Sequence, residues 1–244
     1  MTSILGAKRR LRLMAWRARH PGRGRLCPAC GLRVGQFAPY GVRSRPDAQC
    51  PRCGSLERHR ALMLFLREDP AFIAGGLRVL AVAPDPFLER LGRRGLHEYL
   101  SIDLNPGKAM AVMDLTRLEL PSADRDLVIA FHVLEHIEDD GAAMREIRRV
   151  VSPTGRGLIE VPLEGDETDE RFMREGPQAR EAAYGQADHV RLYGRRNFED
   201  RLRQADLIPE AVAVKERFAA SLARASLDPN EVFYLIRPGN GQGM

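Results

Sequence analysis

Residues 77–163 alternate between short apolar runs and amphipathic stretches, and this alternation predicts the architecture of the chain. Predicted strands occupy residues 77–83, 98–103, 110–114, 126–131 and 157–163. Helix-like stretches cover residues 86–95 and 141–150, and a turn at 152–155 follows the second of them. Strands separated by helical segments of this length favour right-handed βαβ crossovers, so the pattern predicts an α/β fold with a mainly parallel sheet.

Further elements are predicted on both sides of this region. Ser55 is placed to cap a helix that begins there. Towards the C-terminus, a helix near residues 197–206 precedes two strands at 207–214 and 230–238. Two late strands so close in sequence are expected to pair antiparallel at an edge of the sheet.

The four cysteines of the chain form two CxxC knuckles, Cys27 with Cys30 and Cys50 with Cys53. Knuckles at this spacing supply the four sulfur ligands of a tetrahedral Zn²⁺ ion, and a glycine after each permits the tight turn that the motif needs. Two disulfides or a redox CxxC centre are the alternatives; the first requires an oxidising compartment and the second only one CxxC. Because all four ligands come from protein, the predicted zinc is structural.

Charge is uneven along the chain. The net charge is +5, but residues 1–60 hold 14 basic and 2 acidic residues, a balance of +12, which leaves 24 basic and 31 acidic residues for 61–244. A basic zinc module favours nucleic-acid binding, because arginines that neutralise phosphates release counterions. The alternative is a compositional preference for arginine throughout the chain. Few aromatic side chains accompany the basic residues, so nucleic acid is a possible partner but not the favoured one.

No apolar run approaches the length of a membrane span, and the first twenty residues lack the apolar centre of a secretory signal. These residues are basic and can form an amphipathic helix, typical of an organelle transit peptide, a membrane-surface helix or a terminal helix packed on its own domain. The prediction is a cytoplasmic protein without a transmembrane segment. We make no prediction of its oligomeric state.

Several segments, in order, carry a resemblance to a known family. They are YLSID at 99–103, VMDLT at 112–116, DLVIAFHVLEHI at 126–137 and RVVSPTG at 149–155, with CPRCGSLERHR upstream and GQADHVRLYG downstream. This pattern resembles class I S-adenosylmethionine-dependent methyltransferases, and in particular a bacterial group with an N-terminal zinc ribbon. The resemblance implies a Rossmann-like seven-stranded sheet, mostly parallel with an antiparallel edge, and S-adenosylmethionine as cofactor.

The resemblance also implies cofactor-binding residues at the strand ends. Asp103 would accept hydrogen bonds from the ribose hydroxyls, Asp114 from the adenine amino group, and Leu115 would contact the purine face. Phe131 and His132 would lie at the switch point of the sheet. Each aspartate could instead be an ordinary helix cap or turn residue.

The first strand-to-helix turn departs from the superfamily pattern. Ala83, Pro84 and Asp85 stand where most members carry an acidic residue and a glycine-rich turn. The prolines at 84 and 86 remove two N–H donors, and Asp85 adds negative charge near the expected methionine carboxylate. A variant cofactor loop and a lost cofactor site both remain open.

Candidate catalytic residues lie in the polar stretch 164–197. If the stretch DHVRLYG is extended, His189, Arg191 and Tyr193 share one face and could hold an acceptor, with His189 as general base. The alternative is that His189 and Arg191 pin the insertion by hydrogen bonds. His132 and His136 could face one way on a helix, but a metal site there lacks a third ligand at a recognisable spacing.

The sequence therefore predicts a methyltransferase for a small-molecule or glycan-like acceptor. The alternatives are an RNA methyltransferase that binds RNA through its basic zinc module, and a non-catalytic binding protein with the same fold. The predicted domains are a basic segment at 1–25, a zinc ribbon at 26–54, a connecting helical segment at 55–76 and the methyltransferase domain at 77–244 with an insertion at 164–197.

Overall fold

The computed structural model describes residues 2–41, 44–69, 72, 76–95 and 98–240, which form two compact units. The first unit, here the cysteine unit, combines Met1–Ala74 with Ala213–Glu231. The second, here the sheet unit, combines Gly75–Val212 with Val232–Met244. The C-terminal part of the chain therefore contributes to both units.

The cysteine unit contains two small antiparallel hairpins between helices. Its first part comprises α1 (Thr2–Arg19), β1 (Arg25–Leu26), β2 (Arg33–Val34), β3 (Ala38–Tyr40), β4 (Arg45–Gln49) and α2 (Glu57–Glu68). Strand β1 pairs with β2, and β3 with β4. The core is a cluster of Cys27, Leu32, Val34, Phe37 and Cys50. The indole of Trp16 in α1 donates to the Gln36 carbonyl, 3.2 Å away, so α1 is anchored next to the hairpins.

The segment 213–231 contributes two short helices to the cysteine unit, α7 (Val214–Arg217) and α8 (Leu222–Ala225). Arg60 of α2 is completely buried, and its guanidinium donates to the carbonyls of Ala225, Ser226, Ala48 and Ser55 at 2.6 to 3.0 Å. One side chain thus joins α2, a hairpin and the C-terminal segment.

The predicted cap of α2 is wrong. The helix begins at Glu57 after Leu56, whose amide donates to the His59 ring. The Ser55 hydroxyl lies instead 3.2 Å from both Cys27 Sγ and Cys53 Sγ. The thiols therefore use the hydroxyl that the sequence assigned to the helix.

The sheet unit contains a seven-stranded sheet in the order β10-β11-β9-β8-β5-β6-β7. Its elements are β5 (Arg78–Val82), α3 (Pro86–Gly95), β6 (Glu98–Asp103), β7 (Ala111–Val112), β8 (Arg125–Phe131), α4 (Asp140–Val150), β9 (Val151–Glu160), α5 (Pro177–Tyr184), α6 (Arg195–Gln204), β10 (Leu207–Ala213) and β11 (Val232–Pro238). Strands β7, β6, β5, β8 and β9 pair in parallel, and β11 pairs antiparallel with β9. The predicted mostly parallel sheet with an antiparallel edge is confirmed.

Two predicted local features differ from the structure. The turn expected at 152–155 lies inside β9, as a bulge in its pairing with β8: Arg125 pairs with Val151, and the next pair is Leu127 with Arg156. Strand β7 has two residues instead of the predicted five, because Asp114 already belongs to a turn. Both features occur where a short polar run interrupts an apolar one.

The central strands β5 and β8 are buried over nearly their whole length, as expected for strands covered on both faces.

Among the described residues, no helix has both the length and the apolarity needed to cross a membrane.

Candidate functional site

Four parallel strands end side by side at one edge of the sheet. In the pairing register, Val82 of β5 lies opposite both Ile102 of β6 and Ala130 of β8, and Phe131 lies opposite Glu160 of β9. The chain leaves β5 towards β6 on one side and reaches β8 on the other, so the strand order reverses here. Open α/β sheets bind ligands in the crevice at such a switch point.

Two residues at this edge have left-handed backbones although neither is glycine. Ala83, directly after β5, has φ +42°, and His132, directly after β8, has φ +55°. Non-glycine residues in this conformation cost about 1–3 kcal/mol and cluster at functional sites. The turn after β5 contains no glycine, yet the exposed Ala83 adopts the left-handed backbone that a glycine usually provides.

Asp85 caps helix α3. Its Oδ1 accepts hydrogen bonds from the amides of Phe87 at 2.8 Å and Leu88 at 3.1 Å. The negative charge that the sequence places near the cofactor is thus directed at a helix N-terminus, which stabilises it. Pro84 lies between Ala83 and this cap, partly exposed at the same turn.

Asp103 ends β6 within a tight turn. Its Oδ1 accepts from the Asn105 amide at 2.7 Å and from Asn105 Nδ2 at 3.0 Å. Among the described residues, none donates a hydrogen bond to its Oδ2. The turn therefore fixes the carboxylate and leaves one oxygen able to accept from a ligand hydroxyl.

Asp114 forms a similar turn, with Oδ1 accepting from the amide and hydroxyl of Thr116, both at 2.8 Å. Leu115 is buried, with 3% of its surface exposed. Most of that side chain packs within the protein, so contact with a purine face would involve only its exposed margin. Phe131, at the end of β8, is also buried and lies 6.3 Å from the Phe233 ring between centroids.

Three ionisable side chains form a chain at the end of β8. His132 Nδ1 lies 3.3 Å from Glu135 Oε1, and His132 Nε2 lies 3.3 Å from Glu160 Oε1. Both carboxylates are buried while the imidazole is partly exposed. Neither Glu135 nor Glu160 was predicted as a site residue. The sequence signal for Glu160 was a single carboxylate within the otherwise apolar stretch GLIEVPL.

Arg191 is buried among backbone carbonyls. Its guanidinium donates to the carbonyls of Leu134, Ile137 and Glu138 and pairs with Glu170, 2.6 Å away. These contacts favour a structural role over the predicted catalytic one, because the donors of the guanidinium are directed at protein acceptors.

His189 lies on the same segment and is buried, with 3% of its surface exposed. Among the described residues, neither ring nitrogen has a hydrogen-bond partner. Its ring meets that of His136 edge to face, with centroids 4.8 Å apart. Burial lowers the pKa of His189 and so favours the neutral ring. The structure thus brings His189 next to the turn after β8, whereas Arg191 points into the protein.

The four cysteines come together in the cysteine unit. Their sulfur atoms lie within 4.8 Å of one another, with Cys27 to Cys53 and Cys30 to Cys50 both at 3.7 Å. Sulfur atoms bound 2.3 Å from one tetrahedral zinc ion are about 3.8 Å apart, whereas a disulfide requires about 2.05 Å. The cluster therefore fits zinc, and all four cysteines are free thiols. The glycines after the knuckles, Gly31 and Gly54, have φ +71° and +77°, as the turn requires.

Comparisons with known proteins agree with this geometry. A family model described as a methyltransferase domain matches residues 72–211, more than half of the chain. None of the curated proteins matches the sequence.

Solved structures show the same fold. One is an S-adenosylmethionine-dependent methyltransferase from Mesorhizobium loti, with a TM-score of 0.53 and 20% identity over 72% of this chain and 97% of that one. Another is 1,6-didemethyltoxoflavin-N1-methyltransferase from Burkholderia thailandensis, with a TM-score of 0.50 and 15% identity over 74% and 79%. The [4+2]-cyclase SpnF has a TM-score of 0.50 and 15% identity over 95% and 93%. The chain belongs to the methyltransferase-domain family, and its sheet unit has the class I S-adenosylmethionine-dependent methyltransferase fold.

Proposed function

We propose that this chain is an S-adenosylmethionine-dependent methyltransferase for a small-molecule or glycan-like acceptor. The observation that carries the proposal is Asp103, which is held in a turn at the carboxyl end of β6, beside the switch point, with one oxygen able to accept from a ribose hydroxyl. Family membership gives the class of reaction, and the residues at the strand ends give the place where it would occur.

The residues present fit the cofactor. Asp103 would hold the ribose and Asp114 the adenine amino group, while the bent backbone at Ala83 would admit the donor close to the sheet. Pro84 and Asp85 complete that turn, and the cap to α3 offsets the charge of Asp85. Phe131 would exclude water from one side of the pocket. S-adenosylmethionine, when bound, supplies an electrophilic methyl group on a sulfonium sulfur.

The chain's own contribution to chemistry would come from His132. Its partly exposed ring lies between two buried carboxylates, Glu135 and Glu160, which stabilise the protonated imidazole. A histidine in this setting can accept a proton from a hydroxyl or ammonium acceptor as it is aligned for in-line transfer. His132 is therefore better placed to act as general base than His189, which is buried.

The cysteine cluster would hold a structural zinc ion. All four sulfur atoms come from the chain, so such an ion has no open position and would not take part in catalysis. The proposed domain division is a basic segment at 1–25, a zinc ribbon at 26–54, a connecting segment at 55–76 and a methyltransferase domain at 77–244, from which the segment 213–231 departs to join the cysteine unit.

The test is the effect of Asp103→Ala on affinity for S-adenosylhomocysteine, measured by calorimetry on the full chain. The proposal predicts a loss of about 1.5 to 3 kcal/mol, the range for hydrogen bonds to a charged group. Asp200→Asn, at an exposed position of α6, is the control and should bind as the parent does. Equal affinity in Asp103→Ala and parent would make Asp103 a turn residue only.

RNA methylation is a second candidate, favoured by one observation. In α1, exposed basic side chains are Lys8, Arg10, Arg12, Arg17 and Arg19. If these side chains contact phosphates, log affinity for single-stranded RNA should decrease with log salt concentration. The magnitude of this negative slope should become smaller by about 1 for each arginine removed. The variant Arg12→Gln, Arg17→Gln tests this; an unchanged slope would reject the second candidate.

A further inference from the structure

Three potential metal ligands meet at the turn after β8. Glu135 and His136 belong to the 3-10 turn Leu134–His136, and His189 approaches from the segment before α6. One ligand atom from each lies within 4.8 Å of the other two. The pair of histidines in HVLEH lacked a third ligand in the sequence, and the fold supplies it from 53 positions beyond His136.

The buried members of this cluster are polar groups without protein partners for hydrogen bonding. Glu135 is 1% and His189 3% exposed. Among the described residues, neither oxygen of Glu135 and neither ring nitrogen of His189 makes a hydrogen bond. Nor does any described lysine or arginine pair with Glu135, whose one ionic neighbour there is His132. Buried polar groups are almost always satisfied, so such a combination points to a bound partner that the protein itself does not supply.

The protein holds the cluster in place from both sides. The Val190 amide donates to the Glu135 carbonyl at 2.9 Å, which ties the His189 segment to the turn. Arg191, two residues after His189, donates to the carbonyls of Leu134, Ile137 and Glu138. These contacts explain why a buried arginine occupies this position: it positions His189 against Glu135 and His136.

His136 has the outer partner that a metal-binding histidine needs. Its Nδ1 lies 3.2 Å from the Asp188 carbonyl oxygen and 3.4 Å from Asp188 Oδ2. A carbonyl oxygen can only accept, so Nδ1 is the donor in this contact and Nε2 is the nitrogen that can bind a metal. The side chain is 31% exposed, which provides a route of entry from solvent.

We propose that Glu135, His136 and His189 bind a divalent first-row transition-metal ion at the carboxyl edge of the sheet. Two imidazoles and one carboxylate suit Zn²⁺, Mn²⁺ or Fe²⁺ better than Mg²⁺ or Ca²⁺, which prefer all-oxygen ligands. Bond lengths of about 2.0–2.2 Å place ligand atoms roughly 3–3.5 Å apart, so the side chains need to close by about 1 Å.

The three metal ligands are not among the residues proposed to bind the donor, but Glu135 also flanks His132, with its Oε1 3.3 Å from His132 Nδ1. The ion would compensate the buried charge of Glu135, and its remaining coordination positions could take water or an oxygen of the acceptor. Binding of the metal and binding of S-adenosylhomocysteine are measured separately, so failure of either proposal leaves the other standing.

The test uses the full chain with zinc already in its cysteine cluster, titrated with Mn²⁺ and followed by electron paramagnetic resonance. Mn²⁺ binds such ligands more weakly than Zn²⁺ and does not displace zinc from thiolates, so the signal reports the second site. The parent should bind one Mn²⁺ per chain. Glu135→Gln and His189→Gln should each weaken binding by roughly 100-fold or more, and exposed Glu138→Gln is the matched control.

Thermal unfolding provides a second readout, which distinguishes a variant that fails to bind metal from one that fails to fold. Without added metal, Glu135→Gln should still unfold in one cooperative transition, since glutamine has nearly the same shape as glutamate and carries no buried charge. Added Mn²⁺ should raise the midpoint of the parent and of Glu138→Gln, but not that of Glu135→Gln or His189→Gln. Failure of the parent to bind Mn²⁺ or a second Zn²⁺, or equal binding by all four proteins, would overturn the proposal.

Discussion

Two buried arginines hold backbone segments together, one in each unit. Arg60 donates to four carbonyls from three segments of the cysteine unit, and Arg191 to three carbonyls after β8. Burial lowers the pKa of Arg60, yet an arginine remains charged at any physiological pH. A planar guanidinium satisfies several carbonyls at once, which explains why an otherwise costly buried charge is retained.

Arg60→Lys should therefore destabilise the chain even though the charge is kept. A lysine ammonium has three donors and cannot reach carbonyls on opposite sides, so at least one buried carbonyl is left unpaired at about 1–3 kcal/mol. The free energy of unfolding, from urea titration, should fall by that amount. Arg67→Lys, exposed in the same helix, should change it by less than about 0.5 kcal/mol. A parental value for Arg60→Lys would contradict the role given to Arg60.

At the scale of elements, the parallel strands are also tied together at their amino ends, opposite the site. The Arg78 side chain at the start of β5 binds the Asp126 carboxylate at the start of β8, at 2.9 and 3.0 Å. The hydrogen bond from Arg78 lowers the pKa of Asp126 to about 2, and the Ser152 hydroxyl also donates to it. The amino edge thus serves stability, while the carboxyl edge carries the strained and unsatisfied groups.

This tie predicts a pH dependence of stability. The folded-state pKa of Asp126, about 2, lies below its ordinary value of 3.8, so its contribution is present above pH 3.8 and is lost as the pH falls towards 2. Asp126→Asn should lower the thermal midpoint at pH 7 by roughly 2–4 °C, allowing for solvent screening. The difference from the parent should shrink as the pH falls towards 2. A difference that is constant with pH would contradict this assignment.

The two hairpins of the cysteine unit are expected to depend on the proposed zinc ion. Cys50→Ser should lower the zinc content by about one ion per chain and loosen both hairpins, because a core this small needs the metal to fold. Elemental analysis and limited proteolysis within residues 26–54 measure the two effects. Unchanged zinc content in the variant would refute the proposed ligand set.

For the whole molecule, the sequence predicts the sheet well and the site only in part. Apolar runs identify β5, β6 and β8 almost to the residue, because buried parallel strands need continuous hydrophobic stretches. The bulge in β9 was predicted as a turn because its Ser-Pro-Thr-Gly composition is that of a turn. Local composition cannot tell a loop from an interruption within a paired strand.

Some site residues could be predicted from the order of the strands, whereas others are placed by tertiary packing. Asp85, Asp103 and Asp114 follow strands, so their placement at one edge could be predicted from strand order alone. The burial of His189 and Arg191 could not be predicted, nor could the approach of His189 to Glu135, since these two residues lie 54 positions apart. Left-handed backbone at Ala83 and His132 was also hidden, because neither residue is a glycine. Tertiary packing fixed each of these features.

The most direct test of the central claim is calorimetric titration of the full chain with S-adenosylhomocysteine. It separates a methyltransferase from a binding protein that keeps only the fold, and it needs no knowledge of the acceptor. The proposed function predicts saturable binding of one ligand per chain, competed by S-adenosylmethionine. Absence of binding at millimolar ligand, by a chain that retains its zinc and its cooperative unfolding transition, would contradict it.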